Sequence, residues 1–423
     1  MNLYLLKRKI LQLAFSGNIV ENNNGDKIEL LFNQIKLEKT ELMEKNHSRN
    51  EPVYNLPEES EQFFQIPNNW KWIRVGELGV FKKGPFGSSL TKDMFIPKSS
   101  NAIKVYEQQN AIKKSSELGT YYITRNYFEE KMKSFEVLPG DIIVSCAGTI
   151  GECYIMPQTI EKGIINQALM KMQLVNSVDK EYFLYYFDYM LKEISNEKGK
   201  GTGMKNIPPF DIFKQLLFPL APLEEQIRIV DKIKKIMKIV FEIEKSKEAL
   251  YFKKEQLRNK ILHLAVNGKI VGDSTKWQED ILGNILIYEQ PTKYIVESTD
   301  YNNNYKTPVL TAGKSFILGY TNETNGIFNK LPVIIFDDFT TDSKYVDFPF
   351  KVKSSAMKIL NCKEGMNPKF YYYVLQSINF DASTHKRYWI SEFANMIVPV
   401  PPKEEQDLIV NKVEQLLELI DMI

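Results

Sequence analysis

Cysteine is scarce in this chain of 423 residues: Cys146, Cys153 and Cys362 form no CxxC pair and leave an odd count. A disulfide framework is therefore not expected, and the usage reads as a reducing, cytoplasmic setting. Histidine is as rare. His47, His263 and His385 are too scattered to suggest a metal site. No apolar run reaches the length needed to cross a bilayer. The N-terminal MNLYLLKRKILQLAF sets its basic residues inside an amphipathic pattern without a small-residue cleavage site, so a secretory signal is not expected either. Charge of one sign is also missing, since 55 Lys and Arg against 53 Asp and Glu leave +2. That neither demands nor excludes a nucleic-acid partner, because acidic helices can offset a basic face. The length favours two or three domains with real cores.

Complete catalytic signatures are absent as well. Asn206-Ile-Pro-Pro-Phe approaches a methyltransferase motif, but Ile207 interrupts it and no Gly-rich cofactor loop precedes it. Thr311-Ala-Gly-Lys-Ser ends like a phosphate loop, yet Pro308 stands where the first glycine belongs. Asp337, Asp338, Asp342 and Lys344 are the residue types of a metal-dependent nuclease. Those carboxylates lie too close in sequence for the usual pair on separate strands. Cys146 and Cys153 read as core residues.

What the chain does contain is a repeat. Phe213–Ile233 matches Phe393–Val413, with identities at Phe213, Pro219, Pro222, Glu224, Glu225, Gln226, Ile229, Val230 and Lys232. Leu6–Val20 likewise matches Leu257–Val271. Pro222 suits a first helical turn, and Glu224 and Glu225 complement the positive end of the helix dipole. Downstream, Ile229, Ile236, Ile243, Leu250, Leu257 and Leu264 recur every seventh residue, with Ile233, Val240 and Ile261 as companions and Lys247 and Lys254 as interruptions. The spacing predicts one helix from about Leu223 to Val266, ended by Asn267-Gly268 and roughly 65 Å long. So long a helix needs a partner along its seam. The two chain ends supply one on paper. Ile423 corresponds to Ile243 and Met1 to Phe252, so the ends together rebuild nearly the whole helix. Ile409, Leu416 and Ile423 carry the seam from one end and Leu6 and Leu13 from the other. We expect a split helix antiparallel to the central one.

Between the helices lie two mixed segments. The first offers Asp141–Ala147 and Cys153–Met156 as strands and Lys180–Lys192 as a helix. The second offers Thr307–Thr311, Val333–Phe336 and Lys353–Leu360 as strands and Pro368–Ile378 as a helix. They share order and flanks but little sequence. The expected division is an N-terminal helix at 1–20, a linker with one short amphipathic helix (Ile28–Leu42) at 21–66, and a first domain at 67–218. A central helix at 219–271, a second domain at 272–398 and a C-terminal helix at 399–423 follow.

Both segments carry basic loops with small and aromatic residues. In the first, Lys82, Lys83, Ser88, Ser89 and Lys92 lie in Phe81-Lys-Lys-Gly-Pro-Phe-Gly-Ser-Ser-Leu-Thr-Lys, and Lys198, Lys200 and Lys205 in a Gly-rich run. In the second, Lys306, Lys314 and Lys344 accompany Thr and Tyr, and His385, Lys386 and Arg387 occupy the slot aligned with Met204–Pro209. Lysine and arginine neutralise phosphates, and Gly and Ser let backbone approach them. Each loop alone reads more readily as a solvated loop than as a binding one. Their matched placement favours DNA binding. Arg387 is the expected base reader, since a guanidinium can grip guanine bidentately.

The motifs Pro67-x-x-Trp70-x-Trp72, Gly140–Ile143 with Gly148–Gly151, Asn166-Gln167, and the doubled Pro219–Gln226 and Pro399–Gln406 resemble the S (specificity) subunit of type I restriction–modification enzymes. The second segment lacks the Gly-Thr-Ile-Gly run and looks like another recognition-domain type of that family. The resemblance implies an α+β chain with two α/β target-recognition domains separated by long antiparallel coiled-coil helices, pseudo-two-fold and pseudo-circular. It implies a non-catalytic subunit that binds a bipartite site in double-stranded DNA and scaffolds two methyltransferase (M) subunits, with motor-nuclease (R) subunits joining for restriction. No cofactor would be bound by this chain, and S-adenosylmethionine would belong to the methyltransferase subunit. The alternative is an enzyme with a divergent nuclease or methyltransferase site acting on DNA.

Overall fold

The central helix runs from Leu223 to Val266, 44 residues, as the periodicity predicts. In the computed structural model, which describes residues 2–21, 28–46, 54–197, 208–313, 315–382 and 386–423, it joins two units, Met1–Glu244 and Lys245–Ile423. Numbering only helices of ten residues or more, they are α1 (Leu3–Phe15), α2 (Ile28–Lys45), α3 (Lys180–Glu197), α4 (Leu223–Val266), α5 (Pro368–Ser377) and α6 (Lys403–Met422). Helices α1 and α4 end alike. Gly17 and Gly268 take φ of 73° and 67°. The next amides, of Asn18 and Lys269, donate to Leu13 O (2.8 Å) and Leu264 O (2.9 Å), closing the last turn through a left-handed glycine.

Within the first unit α1 lies antiparallel to the N-terminal half of α4. Lys7 Nζ meets the Glu244 carboxylate at 2.7 Å, while Leu11, Ala14 and Phe15 share a core with Ile229, Val230 and Ile233. Within the second unit α6 runs antiparallel to the C-terminal half of α4. Arg258 pairs with Asp421, and Ile261, Leu262, Ala265 and Val266 share a core with Ile409, Val410 and Val413. The seam follows the heptad expectation at Ile229, Ile233, Val240, Ile261 and Ile409, which are buried, and departs from it at Leu13, Leu250, Leu257 and Ile423, which are exposed. Toward the domains the buried stripe is broader: Ile10, Leu11, Ala14 and Phe15, repeated 251 residues on as Ile261, Leu262, Ala265 and Val266. The reason is visible at Phe15, whose ring sits 5.5, 5.1 and 5.7 Å from Tyr182, Tyr186 and Tyr189 of α3. These helix ends bury a face against a domain core as well as a neighbouring helix, and a broad face follows the 3.6-residue period rather than a seven-residue seam.

The repeated segment at 213–233 and 393–413 builds one frame twice. Strand Lys71–Arg74 pairs antiparallel with Leu217–Leu220, and Gln278–Ile281 pairs with Ile397–Val400 in the same register. Gln226, fully buried, donates Nε2 to Ala221 O (2.8 Å) and accepts from Asp179 N (2.9 Å). Gln406 donates to Pro401 O (2.8 Å) and accepts from Asn367 N (2.8 Å). Asp179 and Asn367 in turn accept amides in the first turns of α3 and α5. The indole N–H groups of Trp70 and Trp277 donate to Glu225 (2.7 Å) and Glu405 (2.8 Å). The Glu-Gln pair thus ties a tryptophan, a strand turn and a helix N-terminus together, beyond any dipole role for its charge. Each such bond matters because a buried polar group left unpaired costs about 1–3 kcal/mol.

The domains hung on these frames have the same sheet order. In the first unit the strands lie in the order Gly79–Lys83, Leu169–Leu174, Ile142–Ser145, Cys153–Ile155, beside a second sheet ordered Tyr122–Thr124, Ala102–Tyr106, Gly163–Ile165, Glu136–Val137. In the second unit they lie in the order Leu286–Glu289, Met357–Cys362, Val333–Asp337, Ser343–Val346, beside Ile317–Thr321, Thr307–Leu310, Lys351–Val352. The central strands IIVS and VIIFD are continuous apolar runs because both their faces are covered. The strand expected at Lys353–Leu360 begins only at Met357, since Lys353 N is engaged by Leu310 O of the other sheet and a turn intervenes.

The stretch expected as a linker at 21–66 is, in its described parts, built into the first unit. Phe32 and Ile35 of α2 are core residues. The buried guanidinium of Arg74 donates to Asn55 O (2.9 Å), Leu56 O (3.0 Å), Gln215 O (2.6 Å) and the Glu61 carboxylate (2.7 Å). Residues 54–64 are thereby strapped over the strand pair.

Candidate nucleic-acid interface

In the first unit the basic loop grows out of strand Gly79–Lys83. Alternation on the strand separates its two lysines. Lys82 is half-buried with its ammonium 4.9 Å from the Phe135 ring, whereas Lys83 is exposed. Gly84 follows because the backbone of Asn166 presses on it. A Cβ there would lie 1.9 Å from Asn166 O. The loop then turns over Gly87–Ser89, with Ser89 N donating to Phe86 O (2.9 Å), and is nailed down by buried Leu90 and by Tyr127 Oη donating to Ser89 O (2.8 Å). Ser88 and Lys92 are exposed and Ser89 half-buried.

Lys83 lines a cleft of ≈ 150 Å³ with Cys146, Ala147, Gln167, Met170, Pro208 and Phe210. Gln167 of the Asn-Gln motif, and Cys146 and Ala147 just before the Gly-Thr-Ile-Gly run, therefore border the basic loop. Their conformations are fixed from within. Ser145 Oγ donates to Thr149 O (2.5 Å) and accepts from Glu152 N (3.0 Å), and Gln108 Nε2 donates to Ala147 O. Asn166 Oδ1 accepts from Ala168 N (3.0 Å), leaving Gln167 exposed. The Gly140-Asp141 part of the motif is a turn instead. Burial pushes the Asp141 carboxyl up, against bonds from Leu138 N (2.9 Å) and Gln173 (2.8 Å) that favour its charged form. Lys198, Lys200 and Lys205 lie outside the described residues, but Pro208 and Phe210, which follow them, border the cleft.

In the second unit the equivalent turn follows Val333–Asp337. Asp337 Oδ1 accepts from Phe339 N and Thr340 N, both at 2.9 Å. Asp338 is buried beside Lys358 (3.4 Å), and its carboxylate accepts from Trp389 N (2.8 Å). Asp337 and Asp338 are thus occupied as structural acceptors, with Asp338 pinning the segment that carries Lys386 and Arg387. Arg387 is exposed at the start of the short helix Tyr388–Ser391; Lys386, also exposed, pairs with Glu392 (2.6 Å). Lys306 is exposed just before strand Thr307–Leu310, and Lys344 is half-buried on the edge strand opposite Ile335. Lys314 and His385 lie outside the described residues.

Among the described residues no group of His, Cys, Asp and Glu is placed to hold a metal. Burial pushes the Cys146 thiol up to about 11, opposed by nearby Lys83, and the Cys362 thiol up to about 12; Cys153 is raised as well by its burial. Such burial favours the neutral thiol in each. Phe86 is not among the residues expected to bind DNA: its loop is basic and aromatic by sequence, but nothing in the apolar pattern tells an outward phenylalanine from a core one.

Comparison with known proteins identifies the family. The model of the family described as type I restriction modification DNA specificity domain matches residues 67–250 and 275–423. The type I restriction enzyme EcoR124I/EcoR124II specificity subunit of Escherichia coli is 55% identical over 126 residues, 28% of this chain and 31% of that protein. The MjaVIII specificity subunit of Methanocaldococcus jannaschii is 20% identical over 85% of this chain and 88% of its own. A solved chain of a type I R-M system superposes with a TM-score of 0.61 at 16% identity, covering 85% of this chain and 93% of that one.

Proposed function

The chain belongs to the type I restriction modification DNA specificity domain family, and from that premise we propose that it reads a two-part DNA sequence on behalf of a type I restriction–modification complex. The observation that carries this is the duplicated frame. The Trp–Glu and Gln latches recur with the same partners in both units, while the loops they present differ in sequence. Lys83, Lys92, Lys306 and Lys344 neutralise phosphates and set register, and Arg387 and Gln167 offer planar groups to base edges. Reading two half-sites adds their discriminations, at about 1–3 kcal/mol per correct base pair.

The chemistry resides elsewhere. Two methyltransferase subunits bring S-adenosylmethionine and act on the base, motor-nuclease subunits join for restriction, and the present chain neither methylates nor cleaves. The complex works in the cytoplasm. No described helix is long and apolar enough to cross a membrane. Methylome sequencing of cells with and without the gene tests the proposal. A split motif that is methylated only when the gene is present is expected. An unchanged methylome, or turnover by the isolated chain with S-adenosylmethionine or Mg²⁺, contradicts it.

A further inference from the structure

Phe86 is 87% exposed at the tip of a loop that is otherwise tightly held. Its flanks are anchored on both sides. Gly84 N donates to Leu169 O (2.9 Å), Pro85 and Leu90 are buried, and the Ser89 carbonyl is taken by Tyr127. The ring is therefore presented by a rigid turn. Exposed Lys83 and Lys92 bracket it in sequence, and exposed Ser88 adjoins it. A phenylalanine held in water between phosphate-binding groups matches two known uses of aromatic rings on nucleic acid, stacking on a base face and wedging into a base step. Leu56 is equally exposed but sits among the carboxylates of Glu58, Glu59 and Glu61, where a polyanion is repelled. The second unit has no such ring at the equivalent turn. Tyr294 is buried there, edge-on to Phe328 at 5.1 Å and donating to Glu289 (2.7 Å).

Resting on the DNA-reading function above, we infer that Phe86 is a wedge. Its ring stacks on an exposed base face in the half-site read by the first unit, unstacking one step, while Lys83 holds the neighbouring phosphate. The second unit reads its half-site without this device. The wedge makes the first half-site sensitive to how easily one step unstacks, a form of specificity without base-edge hydrogen bonds.

The test uses the full chain assembled with its methyltransferase subunits. The probes are duplexes bearing the methylated sequence, with 2-aminopurine placed in turn across the first half-site and outside the methylated base. The wild type is expected to raise fluorescence at one step. Phe86→Ala should abolish that rise and weaken binding by at least about fivefold, with an unchanged salt slope. Phe86→Trp should keep both. Lys83→Ala should instead shrink the salt slope by about one, and Leu56→Ala should change nothing. Wild-type affinity and fluorescence in Phe86→Ala, or a change confined to the salt slope, overturns the wedge. A wild-type complex that fails to prefer the methylated sequence over a scrambled duplex overturns the DNA-reading function itself, and the wedge with it.

Discussion

The two units share a frame but are not equally covered. In the first, Leu217 is 3% exposed and Val80 6%, beneath the strap and α2; their register equivalents in the second, Ile397 and Ile287, are 69% and 52% exposed. Arg74, the clamp of the strap, has exposed Ile281 in its place. Only five residues separate Val271 from Trp277, against 49 between Val20 and Trp70, so the second unit has no chain with which to build a strap. Its frame nonetheless closes with the same hydrogen bonds. The comparison teaches that the latches, not the outer covering, specify the fold of each unit, and that the strap is an addition to an already closed design.

That contrast can be broken most sharply at Arg74. Arg74→Ala removes donors to three carbonyls and a carboxylate and should destabilise the first unit by about 3 kcal/mol, with faster hydrogen exchange across residues 54–64. Ile281→Ala at the equivalent site should cost under about 0.5 kcal/mol, as surface changes do. Equal losses at both positions would erase the distinction between frame and strap. Next in size come the latches. Gln226→Ala and Gln406→Ala each leave a buried amide and carbonyl unpaired, and each should cost about 2 kcal/mol, read as loss of exchange protection at the start of α3 or α5. A large effect at one and none at the other would show that the repeat is not energetically equivalent.

A smaller effect follows from pH. Burial pushes the Glu38 carboxyl up, but hydrogen bonds from Ser177 and Gln34 outweigh it and hold it below the usual range; hydrogen bonds from Arg74 hold the exposed Glu61 carboxyl low as well, against a smaller desolvation. Because the folded values are depressed, the stability these carboxylates lend is complete above the ordinary value of about 4.3 and is lost as pH falls through the folded values. A fluorophore on Leu56→Cys should therefore gain mobility below about pH 4, before global unfolding, while one on Ile397→Cys stays constant. Simultaneous transitions at both probes would mean that the strap has no separate acid lability.

Much of this was legible in the sequence. The bounds of α4, its glycine stop and the pairing of repeats by 180 and 251 residues follow from periodicity and identity, because helix and cap signals are local. The common order of the two recognition domains was legible, but their residue-by-residue correspondence was not. Their sheets agree in order, but Cys146 and Met170 stand where Asp338 and Lys358 make a buried pair, so the residues at matching positions share no chemistry. Nor was the strap. A polar, Pro-dotted stretch looks like a connector until Arg74, from a strand, collects its carbonyls. The heptad row held at Ile229, Ile233, Val240, Ile261 and Ile409 but misled at Leu250 and Leu257, which fit a seam by spacing while burial near the domains is set by α3 and the domain cores. At the candidate interface the lysines were proposed by residue type alone, and the exposure of Phe86 was not legible, since it depends on which neighbours hold the turn.

The central claim is that one continuous helix carries two readers of one split site. Inserting seven residues after Lys247 tests it most directly. The insertion leaves Lys7–Glu244 and Arg258–Asp421 within their own units and extends α4 by about 10 Å, or about three base pairs of DNA. Methylome sequencing of cells carrying the insertion should return both original half-sites separated by about three additional unspecified pairs. The original spacing, or new half-site bases at that spacing, would contradict the account.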